Sequence, residues 1–594
     1  MKNLILMLCL IFYKFLFFLS DFLEIQRKSF YWFLNNQFGK EFSLKQTPGL
    51  IFSYDFIYNN YKFLRPALNI QESIIRSKTY CCNFYIPVRF SFLNESTIQW
   101  VFLGTLPLLT RRGHFIINGT PRIVLNQIVR SPGVYFRQNS SSVNLYYAEI
   151  IFQRGPWLRL EMDSKKKIWI CIQDIPRLPL ETFLQNFHQK YKDNILFRKQ
   201  SQSSPILIQS LNLQLGFLGR SCLNKKLNTR VQNLSLTPID LVAISNKLYE
   251  LTGGSESESS SLCDDIDDLR NRRLKTIGEL LKNQLTRGLI RLKNFFIKKN
   301  KKFDQIIETS SPSQVLRNLI KIGALNSQPI NSTFKEFFHS HQLSQYLDQS
   351  NPLAEITHKR RLSCLGSGGI SNETAGMEIR GIHRTHYGRI CPIETPEGRN
   401  AGLVNSLTIA VALNFQGFLE TPFVEIYKQH LQNQKKIVFF CVEKQMSQNV
   451  FFNQKLGKSK NLFVPIIKSQ TQKKCAVDHI HFLAFHPQQF ISIGATCIPF
   501  VEHNDANRVL MGSNMQRQAL PLLKLEQPIV NTLNSFRILS DLRDIPTTFR
   551  SGIITYSSSK VSKINHPKIN LLYENQKKKP ISKPNILGLE KIQL

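Results

Sequence analysis

Between Gln342 and Leu407 the chain reads QLSQYLDQSNPLAEITHKRRLSCLGSGGISNETAGMEIRGIHRTHYGRICPIETPEGRNAGLVNSL. One segment holds a basic cluster (His358-Lys-Arg-Arg361), a glycine-rich loop (Gly366-Ser-Gly-Gly369, then Gly376) and a turn stiffened by Pro392 and Pro396. Glycines let backbone approach a ligand or let a loop move, and each proline fixes φ. Such a stretch folds as a loop surface displayed by other elements, and its charge suits it to lie against nucleic acid.

The rest of the chain must supply those elements. At 594 residues it is too long for one compact core and divides into several domains. Its 42% hydrophobic content suffices for ordinary globular folding. Lys and Arg number 77 against 41 Asp and Glu, a net charge of +36, which attracts polyanions. An A+T-rich genome inflates lysine, but it does not cluster Arg and Lys inside motifs. The 11 cysteines include no CxxC pair and no zinc-ligand spacing, so free thiols, a reducing compartment and no structural metal are expected. Met1–Leu19 is apolar, yet it is short for a span of about 20 residues and carries Lys14. Lys2 fits a signal peptide, but no small-residue cleavage site follows. The expectation is an N-terminal extension and no membrane partner; a membrane-anchored structural protein is the minor reading.

Local pattern gives a mixed chain. Ser20–Leu34 reads as an amphipathic helix with Ser20 and Asp21 as caps. Tyr80–Phe136 alternates apolar runs with Gly/Asn turns and reads as strands, with a hairpin at Ile116-Ile-Asn-Gly-Thr120. Residues 138 to about 250 are weakly patterned, and Gly253–Ser261 is a low-complexity, flexible linker. Asp264-Asp-Ile-Asp-Asp268 matches a DDxxD metal motif but lacks a second acidic motif; these carboxylates are expected to lead into a helix at about Leu274–Lys293. Residues 431–475 are Gln- and Lys-rich, a surface insertion. Pattern returns at Val477 and runs to Ala519, and the tail, with Lys577–Lys579, is expected to be loosely ordered. The fold class is α+β, multidomain.

Three constellations carry candidate chemistry. His358–Arg361 can fan out over several phosphates; in isolation such a run reads as a solvated charged face. Glu394 and Glu397 resemble a hydrolytic acid/base pair, but a glycosidase would need an aromatic sugar cleft and would leave the basic cluster unexplained. Asp505-Ala-Asn-Arg508 with Gln516-Arg517 reads as helix caps and salt bridges, or as cations aimed at phosphates.

The Gln342–Leu407 stretch closely resembles, without a gap, the central region of the β subunit of multisubunit, bacterial-type RNA polymerase. Ser20–Leu34 resembles the start of that subunit, Pro121–Phe136 its protrusion signature, and Asn271–Leu281 the return from lobe to protrusion, with Arg270 where a glycine is expected. Asp505–Ala519 matches as well. The resemblance implies an apolar extension over 1–19, the first part of a protrusion over 20–137, a shortened lobe over 138–252 and an acidic linker over 253–268. It continues with the second part of the protrusion over 269–340, a fork or hybrid-binding region over 341–430, a variable insertion over 431–476, an external and hybrid-binding start over 477–530, and a divergent tail over 531–594.

By the same resemblance, Gln345, His358, Lys359, Arg361, Glu397, Asn400, Arg508 and Arg517 contact the RNA–DNA hybrid or the incoming nucleotide. A rifamycin-type pocket comprises Gln345, Asp348, His358, Arg361, Ser363, Leu365 and Asn400. Asn372, Arg399 and Ala401 depart from the family residues, which bears on loop geometry and drug affinity. No catalytic residue or metal is expected on this chain: the family carries the aspartate triad, with its Mg2+, on β′. Implied partners are DNA, RNA, ribonucleoside triphosphates, β′, an α dimer, a sigma factor and a separate C-terminal β fragment, because the resemblance covers the N-terminal half of a β subunit. A naturally split subunit of a green-algal plastid (chloroplast) is the expectation, with a bacterial cytoplasm as the alternative. A non-catalytic nucleic-acid-binding protein retaining the fold is the second functional reading.

Overall fold

The computed structural model describes residues 21–43, 52–57, 59–92, 95–138, 146–163, 165–172, 175–184, 213–253, 263–303, 325–371, 373–427, 430–431, 437–452, 463–468, 471–476, 479–524, 526, 528–532, 534–542, 553–557, 561–565 and 589–593. Met1–Leu19, Ser20, all of the Gly253–Ser261 linker but Gly253, Asn372 and most of the tail beyond 542 lie outside the described residues. The chain forms two compact units. The first comprises 1–124, 281–360 and 493–594; the second comprises 125–280 and 361–492. Helices and antiparallel strands mix in both, an α+β, multidomain chain. Among the described residues no helix is long and apolar enough to cross a membrane.

In the first unit the long strand Cys81–Phe92 organises a sheet, pairing antiparallel with Glu95–Pro107 on one edge and with Phe52–Phe56 and Lys62–Phe63 on the other. Phe84, Ile86, Val88 and Phe90 are all buried, the period of two that puts alternate side chains on one face. That face packs aromatic rings: Phe38 meets Phe84 edge-on at 5.2 Å, and Tyr54 meets Phe296 at 4.6 Å. The predicted N-terminal helix runs Glu24–Trp32 and passes into a π-turn at Phe33–Gln37. The cap expected at Asp21 is corrected: Leu23 is the N-cap and no side chain caps the helix, while Asp21 accepts from the Leu23 amide at 3.0 Å just ahead of it. The Asn-Gly hairpin forms as read: Phe115–Ile117 pairs with Thr120–Val124 across Asn118 (φ 51°) and Gly119 (φ 76°), the left-handed pair of a type I′ turn. Gly119 is also obligatory by space, since a Cβ there would lie 2.8 Å from Ser77 Cα.

The second unit opens with five antiparallel strands, Gly133–Gln138, Tyr146–Ile151, Leu158–Met162, Ile168–Ile172 and Ile175–Pro179, in sequential order. One face packs against the helices Gly216–Leu227 and Pro238–Gly253. A buried Arg220–Asp240 ion pair at 2.7 Å ties the helices together, and Asp240 also accepts from the Thr237 amide at 2.8 Å. Alternation is clear in Leu158–Met162 and Ile168–Ile172, so the weakly patterned region holds a regular sheet. In the span 431–475, Ile437–Phe440 pairs with Thr421–Val424, and Phe440 and Val450 join Phe423 in a small core.

One local expectation is corrected. Arg272–Lys275 is a strand, and the helix begins only at Ile277, running to Phe303. The strand pairs with Gln127–Arg130, and the Leu274 amide donates to Gly417 O at 2.7 Å, so tertiary partners override the helical pattern of Leu274 and Lys275.

Candidate nucleic-acid interface

In the first unit the positioning residue is Asn351. Its side-chain oxygen caps the helix Pro352–Lys359 by accepting from the Ala354 amide at 2.7 Å. Its amide nitrogen donates to Gln516 O and Ala519 O, each at 3.0 Å, which fastens the far end of the helix Ala506–Gln516. Arg508 stands exposed in the first turn of that second helix, which Asp505 caps through the Asn507 amide at 3.3 Å. Arg517 is the C-cap residue and bonds the Asn514 side chain.

Three predicted residues come together at His358. Its Nδ1 accepts from the Asp348 amide at 3.2 Å, so Nε2 carries the proton in the neutral ring and donates to Gln345 Oε1 at 3.0 Å. Gln345 lies on the strand Ser344–Tyr346, paired with Ile123, and is exposed, while the imidazole is buried.

The expectation that His358–Arg361 fan out toward phosphates is corrected for the two central residues. Lys359 is 1% exposed, its ammonium bound to Glu355 one helical turn back, and its carbonyl accepts from Gln26 Nε2 at 2.6 Å. Arg360 is also buried and donates to Phe22 O at 2.6 Å. The helix is buried on every side over Ala354–Lys359, so Lys359 and the C-cap Arg360 lie inside, where each needs a partner. Beside them, burial first and then the charges of Lys359 and Arg112 push His114 down to about 3. His114 Nδ1 is 4.0 Å from Glu355 Oε1, but a depressed histidine is neutral and Glu355 is already matched by Lys359, so this contact is not an ion pair.

In the second unit Arg361–Ser363 is a central strand, parallel to Asn126–Gln127 and antiparallel to Val404–Ser406. Arg361 is half-buried; Ser363 and Leu365 are buried, and Ser363 Oγ accepts from the Leu365 amide at 3.2 Å. The glycine-rich loop that follows is moulded on Gln127, whose Nε2 donates to Leu365 O (3.0 Å) and Ser367 O (3.2 Å). A Cβ on Gly369 would sit 2.3 Å from Cys364 O, so only glycine fits.

The turn bearing Glu397 and Asn400 is held by a residue the motif reading passed over. Arg380 donates to Arg399 O at 2.9 Å and Ala401 O at 2.7 Å, and Gly402 (φ 76°) lets the Arg380 backbone approach to 2.8 Å of a virtual Cβ. Thr395 Oγ1 closes the turn, donating to Val404 O and accepting from the Gly402 amide, both at 2.9 Å. Glu397 and Asn400 are exposed on this clamped turn, whereas Glu394 is buried; the two glutamates do not face one cleft as an acid/base pair. The departures at Arg399 and Ala401 are accommodated because Arg380 uses only their carbonyls. Behind the turn Arg389, fully buried, donates to Leu419 O (3.0 Å), Phe440 O (2.7 Å), Thr385 O and Tyr387 O (both 3.3 Å), and burial pushes it down to about 10.

The acidic run does not lead into a helix; its carboxylates are matched one by one. Asp264 pairs with Lys226 (2.8 Å), Asp265 with His383 (3.1 Å), Asp267 with Arg272 (3.0 Å) and Asp268 with Arg270 (2.6 Å). Arg270 also donates its amide to Asp268 at 2.8 Å, which forms the turn in which a glycine was expected. Among the described residues no group of three or more His, Cys, Asp or Glu could hold a metal ion.

The class these features define is a multidomain α+β protein that displays rigidly braced, partly cationic loops from mixed sheets. Residues 345–413 match the family model described as RNA polymerase Rpb2, domain 3, and residues 180–275 match domain 2. The β N-terminal section of DNA-directed RNA polymerase from Chlamydomonas reinhardtii is 32% identical, over 91% of this chain and 84% of that protein. The β subunit from Oltmannsiellopsis viridis is 38% identical over 93% of this chain and 46% of its own length; that from Synechocystis is 36% identical over 91% and 52%. The chain therefore belongs to the β-subunit family of DNA-directed RNA polymerase. It spans about half the length of most of the full β subunits it matches.

Proposed function

We propose that the chain is a working part of a DNA-directed RNA polymerase, a nucleotidyltransferase that makes RNA on a DNA template from the four ribonucleoside triphosphates. Family membership carries this reading, and the braced display of Glu397, Asn400 and Arg508 supports it. Here 20–137 and 269–340 are protrusion, 138–252 lobe and 341–430 fork. Glu397 and Asn400 line the RNA path; Gln345, His358, Arg361 and Arg517 face the hybrid. Arg508 meets the triphosphate, where a fixed cation orients the substrate and offsets developing charge. Lys359 serves by positioning the helix that carries His358, not by contact. Gln345, Asp348 and His358 in the first unit, and Arg361, Ser363, Leu365 and Asn400 in the second, are the rifamycin-type drug-contact positions. Catalytic Mg2+ belongs to β′, which supplies the carboxylates.

The partners are β′, an α dimer, a sigma factor and the remaining β sequence. The likeness to a relative named as an N-terminal section favours a separately encoded C-terminal β chain, and the algal and cyanobacterial relatives favour a plastid over a bacterial cytoplasm. Affinity purification of the tagged chain from its own cells, followed by partner identification and templated RNA synthesis, tests this. Co-recovery of α, β′ and a second β chain with activity is expected, as is a KM for nucleotides raised about tenfold or more by Arg508→Ala. Recovery of nucleic acid without those chains would replace the proposal with a non-catalytic binding protein.

A further inference from the structure

On the five-stranded sheet of the second unit, the face away from the helices is not a plain solvated surface. The register sets Arg137, Tyr147, Glu161 and Trp169 side by side across four strands. Tyr147, Glu161 and Trp169, together with Arg159, Asp163 and Arg177, border a hollow of about 670 Å³, open to solvent. Arg159 stacks on Tyr147, its guanidinium carbon 3.8 Å from the ring centroid. Glu161 is taken up from both sides, one oxygen 3.2 Å from Arg159 and the other 3.3 Å from Arg177.

What this leaves to offer decides the ligand. Of the two carboxylates on the hollow, Glu161 is taken up by both arginines and Asp163 lies exposed beside the lysine turn, while Arg159 covers a face of Tyr147. Trp169 is only half-buried, and Arg177 keeps 71% of its side chain exposed. At the end of the same strands the turn Lys165-Lys166-Lys167 is exposed; Lys166, at φ 59°, donates its amide to Asp163 O, and the Asp163 amide donates to Lys167 O, both at 2.9 Å. An apolar ring plane beside an arginine fork and three lysines suits a planar ring joined to phosphates.

We propose that this hollow binds an unpaired base of single-stranded nucleic acid, stacked on Trp169, with the adjoining phosphates on Arg177 and the lysine turn. Duplex keeps its bases stacked inside and can use only the phosphate part. The site shares no residue with the interface described above and does not depend on polymerase activity.

The test uses the full chain in the complex it purifies with. A photoreactive oligothymidylate is cross-linked, and the attachment points are mapped. A cross-link within Tyr146–Arg177, competed by unlabelled single strand and not by duplex, is expected. Trp169→Ala should weaken that competition at least about fivefold, the low end for losing one base stack, and Trp169→Phe should restore most of it. Neutralising Lys165–Lys167 should flatten the salt dependence by about 0.7 per lysine that contacts a phosphate. Cross-links confined to other parts of the chain, equal competition by duplex, or Ala and Phe variants that behave alike would each overturn the proposal. Melting curves of both variants separate loss of the site from loss of the fold.

Discussion

The buried Glu355–Lys359 pair gives a sharp test of how the helix Pro352–Lys359 is held. The Lys359 side chain is 0% exposed and that of Glu355 7%, so neither charge can turn to water if the other is removed. Glu355→Gln should therefore cost about 3–5 kcal/mol, the cost of leaving a buried charge uncompensated. At roughly 2–4 °C per kcal/mol for bodies of 150–250 residues, the melting transition of the purified complex should fall by about 10 °C. Replacing both partners with Glu355→Leu and Lys359→Met should recover most of the loss, because an apolar pair of similar volume avoids both desolvation penalties. Lys359→Met alone should behave differently with pH. It strands the carboxylate, but it also removes a charge that depresses His114, whose Nδ1 lies 4.0 Å from Glu355. Protonated His114 can then replace the lysine, so the penalty should shrink as pH falls below about 6.5. Thermal melts of the three variants at pH 8 and pH 5.5 measure this. A shift below about 2 °C for Glu355→Gln, with no recovery in the double variant, would refute a desolvated pair.

Other expectations follow from single contacts. His114 has a folded value of about 3 against an ordinary 6.5, so the unfolded chain binds the extra proton between them; stability should decline as pH falls from 6.5 toward 3, by up to about 1.4 kcal/mol per pH unit, and His114→Gln should flatten the slope in acid melts. Arg380→Ala removes two guanidinium–carbonyl bonds from the Glu397–Asn400 turn; about 2 kcal/mol of ordering should be lost and RNA synthesis slowed roughly tenfold or more, with melting little changed. Arg389→Met orphans four carbonyls and should lower stability by about 3 kcal/mol or more in denaturant titrations, without a rescue by Arg389→Lys, whose ammonium cannot span them. Gly402→Ala forces a Cβ to 2.8 Å from Arg380 backbone at φ 76° and should cost at least about 1 kcal/mol in the same titration.

What could be read in advance, and what could not, divides by the range of the interactions. The Asn118-Gly119 hairpin was legible because left-handed φ at two successive residues is a local demand that few sequences meet. The turn with Glu397 and Asn400 was legible through its two prolines, each of which fixes φ locally. Lys359 was misread because a run of cations looks alike whether it faces water or a carboxylate; what distinguishes the two is that Ala354–Lys359 is buried on every side, which only the fold reveals. The strand Arg272–Lys275 could not be found from its own residues, since what makes it a strand is Gln127–Arg130, more than a hundred residues earlier. Gln127, Arg380 and Asn351 escaped notice for a related reason: each bonds backbone carbonyls, which carry no sequence signature, so nothing in a motif announces their partners. A loop surface built to meet a ligand leaves its own polar groups for that ligand, and the groups that shape it must come from behind. The residues that present the site are therefore conspicuous in the sequence, and the residues that hold it in shape are visible only in the fold.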